Sequence, residues 1–275
     1  MKVYRVLDRL DHAVWAASAN GVDFTRLEGA FPDFHPTGQL VEAVRLLAPV
    51  EPPPAIWCVG LNYHEHARET GLPLPEHPIL FLKPRTCLSG PADIIELPRG
   101  LHSDKVDYEL ELTVVIGKSG KNIPKERALE HVFGYTIGND VSARDWQKIG
   151  GGGQWVRGKS FDTACPVGPC VATPDEVAPL EGRRMQCWIN GERRQSSSPG
   201  DMVFGVADLI AFISRSNTLE AGSLILTGTP HGVGFVMKPR QYLRLGDHVR
   251  MEIEGIGILE NTVGEEILEA ESHDD

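Results

Sequence analysis

The sequence predicts an α+β fold that is rich in β-strands, with a small N-terminal domain ahead of a larger domain. Short apolar runs alternate with Gly and Pro turns beyond residue 55, as is typical of strands joined by tight turns; they are AIWCVGL, ILFLK, ELTVVIG, QCWING and SLILTGT. Three consecutive prolines at 52–54 enforce an extended backbone and end any helix. We therefore place the small N-terminal domain at residues 1–50 and the larger domain at residues 55–270.

Helical patterns are few, and the strongest lies in the segment VADLIAFISRS. Its residues Val206, Leu209, Ile210 and Ile213 follow the i, i+3, i+4, i+7 spacing of a helix that buries one face. This segment is therefore predicted to be a helix packed on the strand-rich core.

The composition is that of an ordinary globular protein, and it excludes several classes of function. With 275 residues, of which 41% are hydrophobic, the chain can bury a full core. Its formal net charge of −11 argues against nucleic acid as a partner, because phosphate binding needs a basic surface. No run approaches membrane-spanning length, and the N-terminus lacks the apolar stretch of a signal peptide, so we expect a cytosolic (cytoplasmic) protein without a membrane partner. The five cysteines form no C-x-x-C pair and are expected to be reduced thiols.

Four carboxylates, Asp107, Glu109, Glu111 and Asp140, lie in strand-forming sequence, with Lys159 further along the chain. Side chains alternate between the faces of a strand, so Glu109 and Glu111 point the same way and repel each other unless a cation lies between them. Carboxylate oxygens without nearby Cys or paired His ligands suit Mg²⁺, Mn²⁺ or Ca²⁺ rather than Zn²⁺. The alternative interpretation is the solvated face of an edge strand, where alternating charge is common.

The residues Gly153, Gly158, Lys159 and Ser160 match the phosphate-loop pattern G-x-x-x-x-G-K-S. That pattern requires a hydrophobic strand before it and a helix after it. The preceding RDWQKIGGGG is not a buried strand, and the prolines and glycine of the following FDTACPVGP interrupt any helix. We therefore do not assign nucleotide binding, and Lys159 needs another role.

A short helix is predicted in the segment GLNYHEHARETG, with Asn62 as its N-cap, Glu65 completing a capping box and Gly71 at its C-terminus. His66 and Glu69 are three residues apart and share a face of this helix. A carboxylate beside an imidazole fixes its tautomer and raises its basicity, as a general base acting on water requires. The alternative is a surface ion pair on an exposed turn.

Five segments, in this order, resemble the signature segments of the fumarylacetoacetate hydrolase (FAH) family: GLNYHEHARE, KVDYELEL, GYTIGNDVSARDWQ, GKSFDTACPVGP and LILTGTPHGVG. The resemblance runs from about residue 55 to residue 260. Within the family it is strongest with the FAH-domain-containing protein 2 type, through the stretch WVRGKSFDTACPVGP. It implies a mixed β-sandwich roll for the larger domain, which would be catalytic, and a homodimer.

The resemblance also implies roles for individual residues. Three would bind a divalent ion, usually Mg²⁺ or Mn²⁺: Glu109, Glu111 and Asp140. Three would be catalytic: His66, Glu69 and Lys159. Three would contact the substrate: Gln147, Thr229 and Arg144. His66 and Glu69 would form a water-activating pair on a lid helix. Independently of the resemblance, Arg144 is close to Asp140 in the sequence and would hold either a substrate carboxylate or a structural partner. Asp107 would support the ligands without binding the metal.

The implied reaction is metal-dependent hydrolysis of a C–C bond in a 2,4-dioxo acid such as an acylpyruvate or fumarylpyruvate. The substrate would chelate the ion through its carboxylate and 2-keto oxygen, and His66 would activate a water that attacks the C4 carbonyl. Breaking the C3–C4 bond would leave a pyruvate enolate stabilised by the metal and Lys159.

Two other reactions use the same site, namely decarboxylation of oxaloacetate and tautomerisation or isomerisation of a keto acid. An alternative of another class is a catalytically silent binding or scaffold relative. Three converging carboxylates argue against it, because such a cluster costs stability without function.

Overall fold

The computed structural model describes residues 1–150 and 152–268, except for the side chain of Ile149. Its strands, in chain order, are β1 (Lys2–Asp8), β2 (Ala13–Ala17), β3 (Phe24–Glu28), β4 (His35–Val41), β5 (Ala43–Leu47), β6 (Ile56–Gly60), β7 (Ile79–Lys83), β8 (Leu88–Ser89), β9 (Ile94–Leu97), β10 (Val106–Asp107), β11 (Leu110–Ile116), β12 (Gly120–Lys121), β13 (Val132–Asn139), β14 (Ser142–Ala143), β15 (Cys165–Ala172), β16 (Met185–Ile189), β17 (Glu192–Ser197), β18 (Thr218–Leu219), β19 (Leu224–Leu226), β20 (His248–Ile253) and β21 (Gly257–Glu265).

Helical segments are short and few beside these strands. The α-helices are α1 (His64–Thr70), α2 (Val156–Lys159), α3 (Pro174–Val177) and α4 (Val206–Ile213). A π-helical turn covers Trp146–Gly150, and 3₁₀ turns cover Arg85–Cys87, Lys125–His131, Pro199–Asp201 and Gly234–Val236. None of the described helices is long and apolar enough to cross a membrane. The predicted strand-rich α+β class is confirmed.

Two sheets carry most of the strands. The larger one has 12 strands in the order β4-β3-β2-β1-β15-β13-β11-β19-β6-β7, with β5 also paired to β1 and β8 paired to β15. The smaller one has five strands in the order β17-β16-β20-β21-β9. Most neighbours are antiparallel, but β19 runs parallel to β6, β8 to β15, and β9 to β21. The sheets contact each other chiefly through β15 and β21, which gives the mixed β-sandwich roll that the resemblance implied.

Burial along the strands follows their place in the sandwich. Every residue of β11 and of β15 is buried, because both strands lie in the middle of the larger sheet. The residues of β21 instead alternate between buried and more accessible, as expected for a strand with one face towards solvent. All five cysteines are buried and free, as predicted.

The N-terminal strands are joined directly to the larger sheet. Strand β1 pairs with β15 in the register Lys2 with Ala172 and Val3 with Val171. The prolines at 52–54 lie in the non-helical link between β5 and β6. The division into domains at 1–50 and 55–270 stays a prediction, and residues 269 and 270 lie outside the described residues.

The two predicted helices are present, but one cap differs from the prediction. Helix α4 covers the predicted apolar positions, and α1 ends at Gly71, which has the left-handed φ of 70°. The N-cap of α1 is Tyr63, so the predicted capping box is wrong. The Asn62 carboxamide instead donates hydrogen bonds to Phe204 O (3.0 Å) and Thr227 O (2.7 Å). Because Asn62 is fully buried, bridging two loops satisfies it better than capping one turn.

The segment that matches the phosphate-loop pattern has a different local structure. Helix α2 is a single turn that ends at Lys159, and strand β15 begins at Cys165. No long helix follows the lysine, so its backbone does not form the phosphate cradle of that motif. The turn instead directs the Lys159 side chain into the protein, where 2% of it is accessible.

Candidate metal and active site

The three predicted metal ligands converge in the interior. Glu109 immediately precedes β11, Glu111 lies within it, and Asp140 immediately follows β13. The antiparallel pairing of these strands places Leu110 opposite Asn139, and the Asp140 N–H donates to Glu109 O (3.0 Å). One oxygen from each carboxylate lies within 4.8 Å of the others, and all three residues are buried. The solvated edge-strand interpretation is therefore wrong, because β11 is a central strand.

Three basic side chains surround the carboxylates. Lys159 Nζ lies 2.7 Å from Glu109 Oε2 and 2.6 Å from Asp140 Oδ2. Arg144 Nη1 lies 2.7 Å from the other oxygen of Glu109. Lys83 Nζ lies 2.8 Å from Asp140 Oδ1. Lys83 was not predicted from the sequence. The only sequence signal is a lysine at the end of the apolar strand ILFLK, two residues after Phe81 and therefore on the same, buried face of the strand.

The surrounding charges shift the pKa values of the two glutamates in opposite directions. Burial opposes the ionisation of Glu109, but the charges of Arg144 and Lys159 outweigh it and hold the pKa of Glu109 well below its usual range. Burial, followed by the negative charges of Asp140 and Glu109, raises the pKa of Glu111 well above its usual range. Glu111 accepts a hydrogen bond from the Gly228 N–H (2.7 Å). It has no basic partner among the described residues.

This donor set fits a divalent cation. Lys83 donates to three backbone carbonyls, those of Val141, Lys159 and Ala164, so its ion pair with Asp140 Oδ1 is that buried oxygen's only contact with a donor and is not a well-aligned hydrogen bond among the described residues. Ionised Glu111 would likewise carry a negative charge that no basic side chain matches among the described residues. Buried charges and buried polar atoms are normally paired. Three oxygen ligands with an unmatched negative charge are the chemistry that Mg²⁺ and Mn²⁺ prefer.

The predicted histidine and glutamate form a pair that is fixed at both ends. His66 Nδ1 lies 3.1 Å from Glu69 Oε2, within helix α1. The other carboxylate oxygen, Glu69 Oε1, accepts a hydrogen bond from the Gly232 N–H (2.9 Å). His66 is only 7% exposed, so the alternative of an ion pair on an exposed turn is wrong. The second nitrogen, His66 Nε2, is left for chemistry at the cavity.

One cavity of about 120 Å³ brings the predicted site residues together. It is smaller than the ~300–1,000 Å³ typical of pockets for drug-sized ligands, and so it suits a small substrate. Its lining includes eight of the nine residues implied by the resemblance: His66, Glu109, Glu111, Asp140, Arg144, Gln147, Lys159 and Thr229. The ninth, Glu69, lies behind His66.

Two of the lining residues are held by partners that the sequence did not reveal. The Thr229 hydroxyl donates to Leu110 O (3.0 Å) and accepts from Gln195 Nε2 (2.8 Å). Gln147 Oε1 accepts from Arg144 Nη1 (3.0 Å). Gln195 belongs to β17 of the smaller sheet, so its role depends on how the two sheets pack.

Asp107 supports the site from outside the metal-ligand cluster. Its carboxylate accepts a hydrogen bond from Arg144 Nε (2.9 Å) and others from the backbone N–H groups of Gly234 (2.8 Å) and Phe235 (3.0 Å). Arg144 thus has the structural partners Asp107 and Glu109, one of the two roles expected from the sequence. Asp107 therefore ties the arginine and the loop at 234–235 to the same wall of the cavity.

Comparisons with known proteins identify close relatives. A family model described as fumarylacetoacetate (FAA) hydrolase C-terminal matches residues 55–264. The mitochondrial oxaloacetate tautomerase FAHD2B of Bos taurus is 48% identical over 220 residues, which are 80% of this chain and 69% of the relative. The X-ray structure of 5-carboxymethyl-2-hydroxymuconate delta-isomerase from Mycobacterium smegmatis is 35% identical, has a TM-score of 0.83, and covers 97% of this chain and 100% of its own. The structure of fumarylacetoacetate hydrolase from the psychrophilic Exiguobacterium antarcticum is 36% identical, with a TM-score of 0.82 and the same coverage.

The comparisons correct one prediction. A cytosolic location was expected from the composition and the N-terminal sequence. The Bos taurus relative, and Homo sapiens relatives at 47% identity, are named mitochondrial, so that prediction is wrong.

Proposed function

This chain belongs to the fumarylacetoacetate hydrolase family, and from that premise we propose that it is a divalent-metal-dependent keto–enol tautomerase of a small 2-oxo acid, with oxaloacetate as the first candidate substrate. The family and its FAH-domain-containing protein 2 type agree with the five segments found in the sequence. The chain is thus an enzyme of this superfamily. The choice of tautomerisation is supported by the curated relative named oxaloacetate tautomerase and by the structural neighbour named an isomerase.

The observation that carries the proposal is the arrangement of groups around one small cavity. An oriented imidazole, a buried ammonium group and a cluster of carboxylates all line it. Moving a proton between the carbon next to a carbonyl and the carbonyl oxygen requires a base and a positive environment for the oxygen. A Mg²⁺ or Mn²⁺ ion held by Glu109, Glu111 and Asp140 would supply Lewis-acid polarisation of the 2-oxo group.

His66 is the proposed base. The Glu69 carboxylate accepts a hydrogen bond from the His66 Nδ1–H and so keeps the lone pair on Nε2, and His66 lines the cavity. Nε2 takes a proton from C3 of the substrate, and the C–H electron pair becomes the C2–C3 double bond. The C2–O2 π pair moves to O2, which takes back that same proton from the His66 imidazolium, directly or through a water, to give the enol and neutral His66. The reverse sequence returns the keto form, so no atom is gained or lost.

Lys159 is the proposed group that offsets the charge developing on O2. Its side chain is 2% exposed, and its ammonium nitrogen lies 2.7 Å from Glu109 and 2.6 Å from Asp140. Such a fixed donor needs little reorganisation when the negative charge appears. Gln147, Thr229 and Arg144 are proposed to position the substrate, because all three line the same cavity.

The second candidate is hydrolysis of the C–C bond of a 2,4-dioxo acid, as implied by the sequence resemblance. The specific observation in its favour is the His66 and Glu69 pair, which can equally deprotonate a water. The water oxygen would add to the C4 carbonyl, and the C3–C4 bond would break to give a carboxylic acid and the enolate of pyruvate. Decarboxylation of oxaloacetate is a third use of the site and requires no base. We also propose that the enzyme is a homodimer, which light scattering of the purified protein tests.

The experiment compares products on two substrates. Metal-stripped protein, and protein reloaded with Mg²⁺ or Mn²⁺, is given oxaloacetate and acetylpyruvate. Enol absorbance, total oxaloacetate, pyruvate, acetate and carbon dioxide are then followed. We expect metal-dependent equilibration of the enol with total oxaloacetate conserved. Pyruvate with carbon dioxide would replace the proposal with decarboxylation, and acetate from acetylpyruvate without enol equilibration would replace it with hydrolysis. A protein without activity on either substrate would instead favour the alternative that the chain is a catalytically silent binding or scaffold relative.

A further inference from the structure

The cavity has two walls of different chemistry beyond the carboxylates at its floor. One wall is apolar and is formed by Val59, Leu61, Ile79, Phe81 and Trp155. The other carries Arg144, Gln147, Lys148 and Phe235. The second wall therefore carries two positive charges, that of Arg144, which is paired with Asp107 and Glu109, and that of Lys148.

Lys148 is the unmatched charge on that wall. Its ammonium nitrogen lies 3.9 Å from the centroid of the Phe235 ring, and it has no carboxylate partner among the described residues. The charge of Arg144, in contrast, is matched by Asp107 and Glu109. Burial, followed by the positive charges of Arg144 and Arg240, lowers the pKa of Lys148, so an anion at this place would relieve an unfavourable concentration of positive charge.

The position of Lys148 is fixed indirectly by a buried carboxylate. Asp107 accepts the N–H groups of Gly234 and Phe235, which holds the Phe235 ring against the cavity. The ring contacts Lys148 on one side, and the Arg144 guanidinium carbon lies 4.6 Å from the same centroid. A cation within about 6 Å of an aromatic centroid is attracted to it. The lysine is thus kept at the cavity, although its side chain is largely accessible.

We propose that Lys148 is the specificity residue for a second carboxylate, so that the preferred substrate is a 2-oxo dicarboxylate rather than a 2-oxo acid with a neutral far end. The inference rests on the proposed function only in assuming that the 2-oxo acid end faces Glu109, Glu111 and Asp140. The far carboxylate then approaches Lys148, where it meets an unpaired positive charge beside Phe235. A neutral acyl chain would leave that charge unmatched and would fit the apolar wall instead.

The test measures binding, so that it does not depend on turnover. Mn²⁺-loaded protein is titrated by calorimetry with malate and with lactate, which share the 2-hydroxy acid end and differ in the second carboxylate. We expect the wild type to bind malate more tightly, and Lys148→Met to reduce malate affinity by about five- to ten-fold with lactate affinity unchanged, as for one partly exposed charged hydrogen bond. Lys148→Arg should retain most of the preference. Lys121→Met, an exposed lysine in β12, is the matched control and should change neither affinity.

Two results would overturn the inference: equal binding of malate and lactate by the wild type, or an unchanged malate preference in Lys148→Met. Circular dichroism and Mn²⁺ affinity establish that each variant is folded and loaded. A Lys148-dependent malate preference in a protein that does not equilibrate oxaloacetate would refute only the proposed reaction. Tautomerase activity without that preference would refute only the assignment of Lys148.

Discussion

Replacing Glu69 by glutamine tests the role of the histidine pair with almost no change in shape. In the protein one Glu69 oxygen accepts from the Gly232 N–H at 2.9 Å, and the other lies 3.1 Å from His66 Nδ1. A glutamine has only one oxygen. If it stays with Gly232, the amide NH₂ faces His66 and forces the proton onto Nε2, which can no longer act as a base.

The size of the effect follows from the second orientation of that amide. Turning the oxygen towards His66 restores the productive tautomer but points the NH₂ at the Gly232 N–H, which leaves a donor unsatisfied. Such a loss costs about 1–3 kcal/mol. Because each 1.36 kcal/mol is a tenfold change in rate, we expect kcat to fall by about 10- to 100-fold in Glu69→Gln. His66→Ala removes the base itself and should cost about 10²- to 10⁴-fold.

The assay is the metal-dependent incorporation of solvent deuterium at C3 of oxaloacetate, corrected for the rate without enzyme. Glu65→Gln is the matched control on the same helix, since the Glu65 side chain is paired only with Arg68 at the surface and should leave the rate unchanged. Mn²⁺ affinity should be the same in all three variants, because none of the residues is a proposed ligand. A wild-type rate in His66→Ala would show that His66 is not the base, and a wild-type rate in Glu69→Gln would show that Glu69 does not set its tautomer.

Two further predictions concern the carboxylate cluster. Because the pKa of Glu111 is raised in the folded state, this group destabilises the metal-free protein as the pH rises above about 4.3, the pKa of a glutamate in the unfolded chain. Glu111→Gln should therefore raise the Tm measured in EDTA at pH 7 and weaken Mn²⁺ binding. Identical profiles of Tm against pH for the variant and the wild type would contradict this. Lys83→Met should lower the free energy of unfolding by about 3–5 kcal/mol, because it leaves Asp140 buried with one cation fewer. Urea denaturation measures the loss. A change below about 1 kcal/mol would show that the ion pair of Lys83 with Asp140 contributes little to stability.

The proximity of the side chains at the centre of this candidate site could be predicted from the sequence because the signal is local. Glu109 and Glu111 are two residues apart in a strand-forming run, and strand geometry alone puts their side chains on one face. The spacing of His66 and Glu69 likewise defines a pair on one turn of a helix. The fold class followed from apolar runs and turns, and the family from five ordered segments.

What the sequence missed depends on contacts between distant segments. Lys83 belongs to an edge strand, yet its ammonium group reaches Asp140, 57 positions further along the chain, across the sheet. Asn62 looked like a helix cap because capping is a local rule, but its burial between two loops decides its partners. The prediction of a cytosolic location was wrong for another reason. It rested only on the lack of a membrane-spanning run and of an apolar stretch like that of a signal peptide.

The most direct test of the central claim is the decay of enol-oxaloacetate, mixed rapidly with Mn²⁺-loaded wild-type protein, with total oxaloacetate measured at the end of the reaction. We expect accelerated loss of enol absorbance, abolished by EDTA and strongly slowed in His66→Ala, while total oxaloacetate stays constant. Enol decay that is no faster than without protein, or that is matched by the appearance of pyruvate, would contradict it.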